Sequence, residues 1–289
     1  MRRAFLKTLG TAALVLTFGF STSQAATPSD WPKEINFGLI PVAGTSSIEK
    51  EFGPLAKHLE QKLGIKVNMK MSSDYAGVIT GMAHNHIDVA YYGPKSYVEA
   101  ALRANAEAIV IEVGKDGTAG YRGIIISQKA SNLKTLEELK GKTWAFTDPQ
   151  STSGTLVPLV MFSKKEIDPD KYFSKVIYSG SHEASILSVK AGKVDAASTN
   201  DLDFNRGLGQ HWEKDDFNII WTSDLIPGSP MAVRKDLPES LKKALQDAFI
   251  SFVPDASSSL AIKGYIKGDD TMYNGVRDLI EVKKKLAAK

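Results

Sequence analysis

Short apolar runs alternate with segments of helical periodicity along most of the chain. Residues 35–40 read as a strand. Residues 47–63 then place Phe52, Leu55, Ala56, Leu59 and Leu63 at helical spacing. Residues 65–71 alternate as a strand, 75–84 read as a helix and 87–92 as a short apolar strand. A helix opened by proline follows over 94–104, and a strand over 109–113 closes the set. A second set has strands at 121–127, 143–146, 175–178, 194–197 and 217–222, with helices at 152–165 and 182–191. The tail from Leu237 reads as helical through Leu241, Leu245 and Phe249, then Leu279, Val282 and Leu286. Strands alternating with helices imply an α/β class, with right-handed crossovers and mainly parallel sheets covered on both faces.

The first residues break this pattern. Arg2, Arg3 and Lys7 precede an apolar run from Leu9 to Phe20, and small residues at Ser23 and Ala25 lead into Ala26. This is a secretory signal layout over residues 1–25, with cleavage expected before Ala26. The run is shorter than the roughly 20 residues of a membrane span. The string from Arg2 to Lys7 also matches a twin-arginine export signal. No cysteine follows, so a lipid anchor is not expected, and the mature protein is expected free in the periplasm.

Composition narrows the chemistry. The 289 residues contain 36 basic and 33 acidic side chains, and Arg2, Arg3 and Lys7 account for the whole difference. The mature chain is neutral, which leaves no electrostatic footprint for nucleic acid or an anionic membrane. The absence of cysteine removes disulfides, thiolate metal sites and thiol nucleophiles together. His84 and His86 have no third partner at metal spacing, so no metal and no other cofactor is expected.

Ligands of open α/β sheets bind beyond the carboxyl ends of strands, which directs attention to five turns: 72–75, 91–94, 148–154, 179–183 and 198–203. The richest is Asp148-Pro149-Gln150-Ser151-Thr152-Ser153-Gly154, three hydroxyls at a helix start. Free N–H groups and the positive end of the dipole make such a place suited to an anion. Capping by Ser151 or Thr152 alone accounts for one hydroxyl, at about 1 kcal/mol. The spacing is not that of a Walker loop, and Ser151 is not in a G-x-S-x-G elbow, so neither nucleotide hydrolysis nor serine hydrolysis is supported.

Asp74-Tyr75-Ala76-Gly77-Val78-Ile79, Asp88-Val89-Ala90-Tyr91-Tyr92-Gly93, Ser151-Thr152-Ser153-Gly154, Gly180 to Glu183 and Leu225-Ile226-Pro227-Gly228 occur in the order and spacing of the phosphonate-binding proteins of ABC importers. Over residues 35–250 the chain resembles that periplasmic phosphonate and phosphite receptor family. The resemblance implies a non-enzymatic, two-lobed periplasmic binding protein fold of type II, hinged between lobes and docking on a membrane permease with its ATPase. One lobe is expected from residues 26–119 and 226–289, the other from 120–225, in a monomer.

In the relatives a Ser-Thr-Ser turn holds phosphoryl oxygens, and Ser151, Thr152 and Ser153 match it. Tyr75 and Tyr92 match tyrosines reaching the ligand from the opposite lobe; apart from the resemblance each reads as a half-buried core residue, and Tyr91 reads as core. His182 matches a ligand-contacting histidine. As it begins a helix, a neutral imidazole is expected.

Relatives that bind aminoalkyl phosphonates place acids near the ligand's tail. Here Leu202 and Ser229 stand at those positions, so an ammonium group would lose both partners, at several kcal/mol. Phosphite is therefore favoured, then methylphosphonate, over aminoethylphosphonate. A one-residue gap would instead bring Asp201 or Asp203 to the ligand, where a carboxylate would select a P–OH group. Rival readings are a receptor for larger phosphonates, a sensory protein on the same fold and a phosphoester hydrolase.

Overall fold

The computed structural model describes residues 28–255 and 258–287; the signal peptide expected over residues 1–25 lies outside them. The elements in chain order are β1 (Glu34–Leu39), α1 (Thr45–Leu63), β2 (Lys66–Met71), α2 (Tyr75–Ala83), β3 (Val89–Tyr91), α3 (Pro94–Arg103) and β4 (Ala106–Gly114). After a crossing come β5 (Gly120–Gln128), β6 (Thr143–Phe146), α4 (Val157–Lys164), α5 (Pro169–Tyr172), β7 (Lys175–Tyr178), α6 (His182–Lys190), β8 (Ala196–Asn200), α7 (Asp201–Arg206) and β9 (Phe217–Pro227). The chain then returns as β10 (Pro230–Arg234), α8 (Glu239–Ser251), β11 (Ile262–Lys267) and α9 (Asn274–Ala287).

Two sheets result, ordered β11-β4-β10-β3-β1-β2 in the first lobe and β7-β6-β8-β5-β9 in the second. The chain crosses between them twice, through residues 115–119 and 228–229. Both sheets are mixed, where the alternation of strands and helices implies mainly parallel ones. β2, β1 and β3 run parallel in the first and β7, β6 and β8 in the second, whereas β10, β4 and β11, and β5 and β9, pair antiparallel. The antiparallel strands follow from the crossings: a strand carrying the chain out of one lobe and another bringing it back enter their sheets from the hinge side.

β10 and β11 are absent from the periodicity reading. β10 is a five-residue strand begun by Pro230 and buried between β3 and β4, too short to show alternation. β11 is an edge strand interrupted by a register shift at Gly264.

One apolar core fills the first lobe, with Phe37, Phe52, Leu55, Val110, Leu245 and Phe249 fully buried. In the second lobe the run Ile124-Ile125-Ile126 divides by pleat. Ile124 and Ile126 pack with Ile186, Phe204 and Phe217, while Ile125 faces Trp144, Phe146 and Phe162. Leu156 and Val160, at the start of α4, pack with the first lobe's core instead, and α9 lies against both α3 and α4. Apolar surface therefore continues across the lobe boundary behind the site.

Candidate ligand-binding site

The strand-to-helix turns of both lobes meet at one cavity. Tyr75 enters it from the start of α2, Tyr91 and Gly93 from the β3–α3 turn, Ser151 and Thr152 from the turn after β6. His182 comes from the start of α6, and Asn200, Leu202 and Asp203 from the β8–α7 turn. Tyr121 reaches it from the start of β5, just after the first crossing, and Ser229 from the second crossing. The cavity holds about 20 Å³ for the centres of water-sized groups. That is a small space, little more than one water needs.

The hydroxyl turn is built by local packing. Ser151 Oγ accepts from the Gly154 N–H at 3.0 Å, and the chain then makes one π-helical turn over Thr152–Leu156 before α4. Gly154 is required there, because a Cβ would stand 2.1 Å from Thr147 Oγ1 and 2.4 Å from its Cβ. Thr152 Oγ1 accepts from the Lys95 N–H at 2.8 Å, a bond from the first turn of α3 across the lobe boundary. The Lys95 ammonium continues the contact, donating to Pro149 O at 2.6 Å and Gln150 Oε1 at 2.7 Å. Burial, with Lys283 acting in the same direction, pushes that ammonium down to about 8. Ser151 and Thr152 each accept from a backbone N–H, while Ser151 Oγ also lies within reach of His182 and Thr152 Oγ1 within reach of the Tyr121 hydroxyl.

His182 is buried, with Nδ1 3.0 Å from Thr199 Oγ1 and Nε2 3.4 Å from Ser151 Oγ. Burial holds its pKa below the usual histidine range; Asp203 opposes this and Arg206 reinforces it. The imidazole is neutral, mainly through desolvation rather than through the helix dipole alone. Tyr75 is 1% exposed and its hydroxyl has no hydrogen-bond partner among the described residues. Burial, then Asp203, raises its pKa well above the usual phenol value, so it remains a donor.

Asp203 lines the cavity, with Oδ2 3.7 Å from His182 Nε2, and both of its oxygens are engaged by other groups. Its Oδ1 lies 2.6 Å from Arg206 Nη1, and its Oδ2 accepts from Asn200 Nδ2 at 2.7 Å. Arg206 crosses the lobe boundary, pairing with Glu112 Oε1 at 3.1 Å and donating from Nε to Leu260 O at 3.0 Å. Tyr91 OH donates to Glu112 Oε2 at 3.2 Å. Every carboxylate oxygen of this pair of acids thus has a partner. An adjoining cavity of about 220 Å³ shares Val42 and Asp203 and is walled by Glu51, Glu183 and Arg206.

Of the eight residues expected at the site, Tyr75, Ser151, Thr152, His182 and Asp203 line the cavity. Ser153 stands one step back, its Oγ accepting from Asn200 Nδ2 at 3.3 Å. Two expectations are corrected. Tyr92 is fully buried in the first lobe and donates to Val78 O at 3.3 Å, while Tyr91 faces the cavity; neighbouring side chains leave a strand on opposite sides, and the pair is reversed from the reading. Asp201 accepts from the Arg122 N–H at 2.9 Å beside the crossing at 115–119, outside the cavity. Tyr121 and Asn200 are additions. Asn200 was detectable as the residue capping α7, its Oδ1 accepting from the Asp203 N–H; Tyr121 carries no local signal and is brought in by the crossing.

Residues 37–273 match the family model described as "ABC transporter, phosphonate, periplasmic substrate-binding protein". The chain belongs to that family. It is similar to the phosphonates-binding periplasmic protein of Escherichia coli, at 36% identity over 83% of this chain and 73% of that one. It is also similar to a phosphate-import protein of Mycolicibacterium smegmatis, at 30% identity over 91% and 90%. Among solved structures, a binding protein component of an ABC phosphonate transporter from Pseudomonas aeruginosa superposes with a TM-score of 0.82 at 32% identity, over 88% and 87% of the two chains. The two-lobed fold is therefore that of a periplasmic binding component, which works with a membrane permease and ATPase and is not an enzyme.

Proposed function

We propose that the protein captures a small phosphorus oxyanion between its lobes, phosphite before methylphosphonate, and delivers it to the permease. The observation that carries this reading is the cavity itself. It gathers the hydroxyls of Tyr75, Ser151 and Thr152 and a neutral His182 around one small space. Leu202 and Ser229 form part of its wall, and both oxygens of Asp203 are engaged by Arg206 and Asn200. An ammonium tail would find no free carboxylate there, and an unpaired buried cation costs several kcal/mol. The crossings at 115–119 and 228–229 serve as the hinge, with the lobes bounded near residues 119 and 225. Residues 1–25 direct export and are removed before Ala26.

Ser229→Asp tests the wall. The substitution should raise aminoethylphosphonate affinity by about tenfold or more, as expected for a charge-assisted contact, while weakening phosphite. Unchanged selectivity would remove Ser229 from the account. One observation favours a longer phosphonate as the second reading: in the adjoining cavity of about 220 Å³, Glu51 Oε2 is buried with no hydrogen-bond partner among the described residues. Wild-type preference for aminoethylphosphonate over methylphosphonate would support that reading.

A further inference from the structure

Helix α1 of the first lobe begins without a cap of its own. Its N-cap is Gly44, which supplies no side chain, and its first turn holds no acidic residue. The backbone at Gly44, with φ −62° and ψ 155°, is one that any residue adopts, so conformation does not demand glycine. The group that meets this helix end comes from the other lobe. Glu183 Oε2 accepts from the Gly44 N–H at 2.6 Å, and Glu183 Oε1 accepts from Ser47 Oγ at 3.3 Å. The Glu183 N–H in turn donates to Val42 O at 3.1 Å. A Cβ on residue 44 would lie 3.4 Å from Glu183 Oε2, an ordinary contact, so the carboxylate sits directly against this helix end.

We propose that Glu183 is a cross-lobe cap for α1, a positioning residue that locks the lobes when ligand holds His182. The two residues are adjacent in the first turn of α6. One faces the anion cavity and the next grips the opposite lobe, so fixing the imidazole fixes the carboxylate that satisfies α1. When the lobes part, Gly44 and Ser47 return to water and the helix end loses its anionic partner. His211, with Nε2 3.7 Å from Glu183 Oε1, and Lys50, which donates to Gln210, stand beside the contact. The inference rests on the reading that an oxyanion is bound between the lobes.

The experiment uses the full mature chain, whose lack of cysteine permits unique spin labels at Lys57→Cys and Lys193→Cys, exposed on opposite lobes. Methylphosphonate and phosphite are the probes. In Glu183→Ala the dissociation rate should rise about three- to thirtyfold, the range of a lost cap, with association and ligand-free melting temperature unchanged. Gly44→Asp gives α1 its own cap and sets a like charge against Glu183. It should raise the ligand-free melting temperature while speeding release, opposite signs that a general packing defect does not produce. Wild-type release rates in both variants would overturn the proposal, as would an equal loss of stability with and without ligand in Glu183→Ala. If the wild type binds neither probe, the reading of the site fails, and the ligand-free distance distribution decides the cap: a smaller closed population in Glu183→Ala supports it, an unchanged one overturns it.

Discussion

Tyr75 concentrates the chemistry of the site in one atom. Its hydroxyl is buried without a partner among the described residues and lies in the cavity wall, which costs the protein desolvation energy that a bound anion would recover. Tyr75→Phe removes that hydroxyl at nearly constant shape. It should weaken oxyanion binding by about 1.5–3 kcal/mol while leaving ligand-free stability equal or higher. Titration calorimetry and thermal melts on the same samples check both halves, and a fall in stability with unchanged affinity would make Tyr75 a core residue. Glu51 makes a second residue-scale prediction. Burial raises its pKa from 4.5 to about 7, against an opposing effect of Arg206. The folded protein therefore holds that proton more tightly than the unfolded chain, and the stability this contributes, present below pH 4.5, is lost as pH rises through about 7. Glu51→Gln should melt about 2–5 °C higher than wild type at pH 8 and no higher at pH 4. A difference independent of pH would show that the carboxyl does not titrate in this range.

At the scale of elements, the parts of the site that follow local rules were legible in sequence. The turn 148–154 announced itself by three hydroxyls before an apolar helix, and Ser151 does cap that start. His182 and Asp203 fall in the first turns of helices whose caps, Ser181 and Asn200, are ordinary N-cap residues. What was not legible depends on pairing across long separations. The pleat of β3 decides between Tyr91 and Tyr92, and a three-residue strand has too little alternation to reveal it. Asp201 and Asp203 differ only in which side of α7 faces the cleft. The strands β10 and β11 exist because the returning chain pairs with β4, some 120 residues or more earlier. Gly154 is the element-scale test. Gly154→Ala forces a methyl against Thr147 and Ser151, so the π-helical turn must shift. Oxyanion affinity should fall at least about a hundredfold, with about 1–3 kcal/mol of stability lost to overpacking. Binding at wild-type strength would show that the turn does not hold the ligand.

The whole molecule is closed over its site by contacts on three sides. Lys95 reaches Pro149, Gln150 and Thr152 at one rim, Glu183 reaches Gly44 and Ser47 at the other, and Arg206 joins Asp203 to Glu112 behind the cavity. Each contact pairs groups that water satisfies when the lobes part, so closure alone gains little and the bound anion supplies the bias. On the proposed reading a ligand has to fit the closed cavity, whose wall at Leu202 and Ser229 offers a cationic tail no carboxylate. The most direct test is calorimetric titration of the mature protein with phosphite, methylphosphonate, aminoethylphosphonate and phosphate at one pH and salt concentration. Phosphite should bind tightest, methylphosphonate next, and aminoethylphosphonate at least about tenfold more weakly than either. Tightest binding of aminoethylphosphonate would contradict it.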